Sequence, residues 1–109
     1  MWARIDIGCD MEYQVYFSAS ADQDIDEIID FIAKDSSKNA LGFIDRLEER
    51  VRALLSTAPF SGRLLSDYRY FEFDNYVVVY DLDRHKRCVY ILLVSESHRD
   101  WRKLVSRRL

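Results

Sequence analysis

Apolar residues along this chain recur first with period two, then at steps of three and four, and then with period two again. From Glu12 to Phe17, the residues Tyr13, Val15 and Phe17 alternate with Gln14 and Tyr16, which predicts a strand with one apolar and one mixed face. Ser18, Ser20 and Asp22 then offer N-cap chemistry, and Asp22, Asp24 and Asp26 put acid at the positive end of a helix. Ala21, Ile25, Ile28, Ile29 and Ile32 form the buried stripe of that helix, with Asp24, Glu27 and Asp30 expected to face water. Ser36-Ser37 breaks it and can cap a second helix over about Lys38 to Thr57, whose inner stripe is Ala40, Ile44, Leu47, Val51, Leu54 and Leu55. Pro59 forbids its continuation. A break of about four residues between two amphipathic helices implies an antiparallel helical hairpin.

Past the turn signal Pro59-Phe60-Ser61-Gly62-Arg63, three strands are predicted, at about Tyr68–Phe73, Tyr76–Leu82 and Cys88–Ser95. Asp74-Asn75 is a tight turn and Asp83 to Arg87 a longer polar one, so these strands run antiparallel. Val77-Val78-Val79-Tyr80 and Val89 to Val94 are apolar on both faces. They are therefore central strands, with helices over one face and another element over the other. The expected order is β-α-α-β-β-β, an α+β fold with a helical hairpin packed on a mostly antiparallel four-stranded sheet. Residues 1–11 show no clear period and are expected to be an N-terminal extension, with 12–109 a single domain ending in a basic tail. A short last helix near Asp100–Arg107 is the weakest element of the pattern.

Composition narrows the class. The chain of 109 residues is 49% hydrophobic, with three Gly and one Pro, which leaves little room for linkers or low-complexity segments. No apolar run reaches membrane-spanning length and the start lacks a signal-peptide pattern, so a cytoplasmic protein is expected. Cys9 and Cys88 belong to no metal-binding or redox spacing, and His85 and His98 are the only histidines, so no metal and no cofactor is expected.

The net charge of −3 conceals an asymmetry. Residues 1–55 carry six basic against twelve acidic side chains, and residues 56–109 carry ten against seven. From His98 to Leu109, five basic residues face one acidic one. A basic surface can meet phosphate or an acidic partner, or can simply be a solvated tail. A dedicated non-specific nucleic-acid binder would be basic overall, and this chain is not.

From Tyr13 to Asp100 the sequence resembles the RelE/ParE superfamily of bacterial toxin–antitoxin toxins. The resemblance rests on an ordered set. Ser18-Ala19-Ser20-Ala21-Asp22-Gln23-Asp24-Ile25-Asp26-Glu27-Ile28 is similar to the family's first-helix start. Phe43 to Glu48, Leu54-Leu55 and Ala58-Pro59-Phe60-Ser61-Gly62-Arg63 are similar to its second helix and Pro-x-x-Gly exit. Arg69 before Tyr76-Val77-Val78-Val79-Tyr80, and Ile91-Leu92-Leu93-Val94 before His98-Arg99-Asp100, complete the set. The resemblance implies a toxin held inactive by a cognate antitoxin, with either of two activities: poisoning of DNA gyrase, as ParE-like members do, or ribosome-dependent cleavage of mRNA, as RelE-like members do. A degenerate toxin that only binds its antitoxin is a third reading.

Cleavage of RNA needs a base for the 2′-hydroxyl, cationic groups for the phosphate and an acid for the leaving oxygen. His98, Arg69 and Arg99 are the candidates for that chemistry, with Glu72 a candidate base. For binding to a target, the candidates are Arg63, Arg69, Arg99 and Arg102. The RelE-like arginine positions align with Glu72 and Ser97, and the late tyrosine with Lys103, which favours the ParE-like branch, although Glu96 stands where many of its members have His. The aromatic hairpin of Tyr68, Tyr70, Phe71, Phe73, Tyr76 and Tyr80 is read as cross-strand packing first and a base-stacking surface second. Arg84, Lys86 and Arg87 around His85 are read as a solvated hairpin tip, and Trp101 as the packing anchor of the tail. An antitoxin segment is expected to lie on the helical hairpin, with basic side chains over Asp24, Glu27 and Asp30 and acidic ones near Arg69, Arg99 and the tail.

Overall fold

Ser18 sets where the chain turns from strand to helix. Its backbone is extended (φ −66°, ψ 159°) and its Oγ accepts the Ala21 N–H at 3.0 Å, capping a helix that runs Ala19–Asp35. In this computed structural model, which describes residues 3–5, 13–57, 62–65 and 67–108, the elements are β1 (Ala3–Ile5), β2 (Gln14–Phe17), α1 (Ala19–Asp35), α2 (Ser37–Thr57), β3 (Arg63–Leu65), β4 (Tyr68–Phe73), β5 (Tyr76–Asp83), β6 (Cys88–Glu96) and α3 (Trp101–Arg108). Ser36 alone separates the two long helices. Its N–H closes α1 on Ile32 O at 3.0 Å, and its Oγ accepts the Asn39 N–H at 3.1 Å to open α2. The hairpin connection is thus one residue, tighter than the pattern implies, because a single serine serves both helix ends.

Among the described residues the sheet has six strands in the order β1-β2-β6-β5-β4-β3, antiparallel except where β2 runs parallel to β6. The α+β class and the mostly antiparallel sheet are as expected, and the expected count of four strands is corrected to six. The two additional strands, β1 and β3, have three residues each and lie at the edges, too short to show a period. Residues 59–61 of the expected Pro59–Arg63 turn, and residues 1, 2 and 6–11 of the N-terminal segment, lie outside the described residues.

Alternation along the strands divides the interior in two. Val15, Phe17, Phe73, Val78, Tyr80, Val89, Ile91 and Val94 face the hairpin and meet Ala21, Phe43, Leu47 and Val51. On the other face Tyr70, Val77, Val79 and Leu93 meet Trp101 and Val105 of α3. The second cover of the doubly apolar strands is therefore α3. The register of β5 against β6 slips between Val79 and Tyr80, which pair with Leu93 and Ile91, so Leu92 is the extra residue of a β-bulge. Leu92 and Leu93 both join the α3 side before Val94 returns to the hairpin side.

The aromatic residues of the β4–β5 hairpin pack as expected. Phe43 lies edge-on to Tyr76 (centroids 4.8 Å apart) and Tyr70 tilts against Trp101 at 4.9 Å. No helix among the described residues is long and apolar enough to cross a membrane.

Candidate functional site

Arg69 sits on β4 on the same sheet face as Phe71 and opposite Tyr80, so it points to the hairpin side. Its Nη1 donates to Gly62 O at 3.0 Å, and the Gly62 N–H donates to the Tyr80 hydroxyl at 3.1 Å. The two bonds tie the segment leading into β3 onto the sheet. Burial raises the Tyr80 phenol above its ordinary pKa, with the Gly62 bond and the Arg69 charge acting against that rise. A Cβ at Gly62 would overlap the Tyr80 ring and hydroxyl, which is a spatial reason for the glycine in the Pro-x-x-Gly exit.

Arg63 and Arg102 lie on the opposite face. Arg63 is exposed on β3 and pairs in register with Tyr70. The Arg102 guanidinium stands 4.3 Å from the Trp101 ring centroid and 5.8 Å from that of Tyr70. Stacking holds that charge at the surface on a buried aromatic base, where it is oriented with less loss of rotamer freedom on binding. Beside Tyr70, a cavity of about 240 Å3 is lined by Arg50, Gly62, Arg63, Phe71 and Glu72. Arg50 of α2 reaches this edge and donates to Glu72 O at 2.9 Å. Sequence reasoning missed Arg50, and its spacing from Arg46, which pairs with Asp74 at 2.5 Å, is the one local signal that a second helix face was occupied.

Arg99 occupies the turn before α3, with its N–H on Glu96 O at 3.1 Å and its carbonyl accepting the Trp101 N–H at 2.8 Å. Its side chain lines a cavity of about 220 Å3 with Asp24, Glu27, Glu96, Phe31 and Leu104, among others. His98 is 73% exposed in its side chain, and its Nε2 lies 3.2 Å from Glu96 Oε2. Of the three residues considered for RNA cleavage, Arg69 is thus on the hairpin face, while His98 and Arg99 are neighbours in the turn after β6, the imidazole in solvent beside Glu96 and Arg99 among acidic groups. Of the four considered for target binding, Arg63 and Arg102 flank Tyr70, while Arg69 and Arg99 lie elsewhere. Glu72 is exposed and contributes its carbonyl, not its carboxylate, to the bond with Arg50.

Asp24 departs from the expectation that it faces water. Its side chain is only 14% exposed, and it accepts the Val94 N–H at 3.0 Å and both Nη atoms of Arg108 at 2.7 and 2.8 Å. No local pattern reports this, since its partners come from β6 and α3.

Between α1 and α2 a mostly apolar cleft of about 220 Å3 reaches down to Phe17. Its walls are Ile25, Ile29, Ile44, Leu47 and Val51, and Asp22 and Glu48 stand at its rim. Desolvation, followed by the charge of Asp26, raises the Asp22 carboxyl above its ordinary pKa. Among the described residues no group of three or more His, Cys, Asp or Glu is placed to hold a metal ion.

The family model described as ParE toxin of type II toxin-antitoxin system, parDE, matches residues 15–101. The fold is similar to that of the chromosomal ParDE toxin–antitoxin system from P. aeruginosa, with a TM-score of 0.59 and 17% identity over 73% of this chain and 90% of that one. It is also similar to the isolated E. coli RelE toxin, with a TM-score of 0.55 and 18% identity over 89% of this chain and 99% of that one. At such identities the likeness is one of fold. No curated protein matches.

Proposed function

The chain belongs to the ParE toxin family of type II toxin–antitoxin systems, and from that premise we propose that it arrests bacterial growth by binding a target, DNA gyrase, in the cytoplasm. The observation that carries the reading is the separation of Arg69 from the His98–Arg99 turn: Arg69 lies opposite Tyr80, four residues along β5 from Tyr76, which pairs with the Glu96 that His98 and Arg99 flank. Proton transfer and phosphate stabilisation must act on one scissile bond within hydrogen-bond reach of it. An exposed imidazole paired to Glu96, with Arg69 committed to Gly62 on the hairpin face, does not form such a constellation. A binding mechanism needs only a presented surface, and the Arg63–Tyr70–Trp101–Arg102 surface fits that requirement.

Neutralisation follows from the same molecule's other face. We infer that a C-terminal segment of the cognate antitoxin fills the α1–α2 cleft with apolar side chains and sets basic residues beside Asp22 and Glu48. The charge balance of residues 1–55, six basic against twelve acidic, supports that complementarity. Purified protein added to gyrase should block supercoiling in proportion to its concentration, and a cognate antitoxin should restore it. Normal supercoiling at excess toxin refutes the gyrase reading. Cuts in a translated message at the ribosomal A site, abolished by His98→Ala, would establish the endoribonuclease instead, and unharmed growth on expression without antitoxin would leave a binding remnant.

A further inference from the structure

The parallel ladder between β2 and β6 ends where the chain leaves β2 for α1. Its last rung is the Ser18 N–H donating to Ile91 O at 3.0 Å. β6 runs on to Glu96, so its outer edge past the Leu92 bulge has no neighbouring strand among the described residues. In a parallel ladder one residue of the neighbouring strand flanks residue i by donating to the carbonyl of i−1 and accepting from the N–H of i+1. Around Leu93 both roles are filled by side chains. Arg108 Nη1 donates to Leu92 O at 3.1 Å, and Asp24 Oδ2 accepts the Val94 N–H at 3.0 Å. The two side chains are joined to each other by the bidentate bonds at 2.7 and 2.8 Å, so they act as one unit with a donor at one end and an acceptor at the other.

The pair is also the tie between three elements that are distant in sequence: α1 through Asp24, β6 through its backbone, and the last turn of α3 through Arg108. Side-chain exposures of 14% and 27% make this a largely desolvated contact, unlike the Arg46–Asp74 pair at 49% and 45%. Removing Asp24 strips Val94 N–H of its acceptor and Arg108 of its counter-charge, and removing Arg108 leaves the Asp24 carboxylate without its counter-charge and Leu92 O with only the longer bond from Ser18 Oγ at 3.4 Å. Trp101 and Val105 anchor the start and middle of α3, and Arg108 holds its end.

We propose that the Asp24–Arg108 pair is a latch that stands in for a strand residue, so that closure of the β6 edge and docking of the end of α3 are a single event. The latch also guards the sheet. Leu92 O, which also accepts from Ser18 Oγ at 3.4 Å, and Val94 N–H are the two groups any added strand would require, and both stay covered while the last turn of α3 is docked. The coupling is reciprocal by linkage: whatever loosens α3 exposes the edge, and whatever takes the edge loosens α3.

Native-state hydrogen exchange resolved by residue tests this in the intact protein. The Val94 amide reports the edge, amides of the last turn of α3 report the helix, and the Val78 amide, on the central strand, reports global opening. Arg108→Ala and Asp24→Asn should each lower protection of both Val94 and the last turn of α3 by the same factor, about 10- to 100-fold for the loss of charge-assisted bonds. Val78 protection should change far less. The distinguishing result is that Asp24→Asn loosens α3, an element it does not belong to, as much as Arg108→Ala loosens β6. If a variant unfolds, the milder Arg108→Lys, which keeps the charge but not the two-pronged bond, must lose protection at both sites in parallel. Undiminished Val94 protection in Arg108→Ala, or helix and edge amides that respond independently to any of these variants, overturns the latch.

Discussion

Gly62→Ala should be far more damaging than its exposed, loop-like sequence context implies. Gly62 is not among residues with positive φ, so alanine carries no backbone penalty there, and the loss of chain entropy in the unfolded state would by itself stabilise by about 0.4–1 kcal/mol. Space decides otherwise. A methyl group would lie 2.9 Å from Tyr80 Cζ and 3.0 Å from Cε1, and would overlap the hydroxyl. Tyr80 is fully buried among Phe71, Val78 and the other residues of the hairpin-side core, so its ring cannot swing away. The segment at Gly62 must move instead, and its bonds to Tyr80 and Arg69 go with it. Two hydrogen bonds at about 1 kcal/mol each, and about 1–3 kcal/mol for forcing a methyl group into a packed site, outweigh the entropic gain and leave a net loss of roughly 2–4 kcal/mol. For a domain of this size that lowers Tm by roughly 10–20 °C. Circular dichroism melts of Gly62→Ala, Tyr80→Phe and the double variant form a cycle. Deleting the hydroxyl removes the worst overlap, so the double variant should be more stable than the sum of the two losses predicts, by at least about 1 kcal/mol. Additive losses, or a Gly62→Ala protein that melts within about 2 °C of wild type, would refute the reasoning.

Trp101→Ala removes the anchor of α3 and should cost about 3–5 kcal/mol, read as a lowered urea midpoint. Arg102→Ala, which only uncovers that ring, should stay within about 1 kcal/mol of wild type yet relieve growth inhibition, and an unchanged growth arrest would remove Arg102 from the target surface. His98→Ala should leave the melting temperature and growth arrest intact, because the pair with Glu96 is exposed and worth at most about 1 kcal/mol. At alkaline pH the fold should weaken. Burial is the largest cause that raises the Tyr76 and Tyr80 phenols above their ordinary value, so their contribution is full below about pH 10 and is lost as pH rises through the raised values. A urea midpoint indifferent to pH between about 9 and 12 would contradict this, and Tyr80→Phe should remove part of the dependence.

What the sequence disclosed follows the range of the physical signal. Ser18 and Ser36 act within three residues of themselves, so both helix boundaries were legible. The doubly apolar runs of β5 and β6 announced two covers, and Trp101 with Leu104 and Val105 identified the tail as an anchored element. Asp24 was misread as solvent-facing because helical periodicity assigns a face, whereas its partners Arg108 and Val94 come from 84 and 70 residues away. The same limit applied to the candidate site. Arg69, His98 and Arg99 share a chemistry that suits RNA cleavage, but strand alternation on β4 sends Arg69 to the face opposite Arg102. That parity depends on pairing with β5, which no local window contains.

The two-sided build of the sheet constrains how neutralisation can work. The α1–α2 cleft and the Arg63–Tyr70–Trp101–Arg102 surface lie on opposite faces, with the sheet between them. A segment seated only in the cleft therefore leaves Arg102 uncovered, and occupancy there cannot by itself exclude a target from the α3 face. Binding and neutralisation should accordingly separate when the antitoxin segment is shortened. A peptide limited to the cleft-filling part should bind with the negative heat-capacity change of apolar burial, and with an affinity weakened by Asp22→Asn or Glu48→Gln. It should nevertheless leave gyrase inhibition intact. A longer segment that continues past the sheet edge to the basic α3 face should relieve inhibition, and its extra affinity should fall with salt, since that part of the contact is electrostatic. Full relief by the short peptide would mean that the target surface is on the hairpin side, and would transfer the toxic contact from Arg102 to α1 and α2.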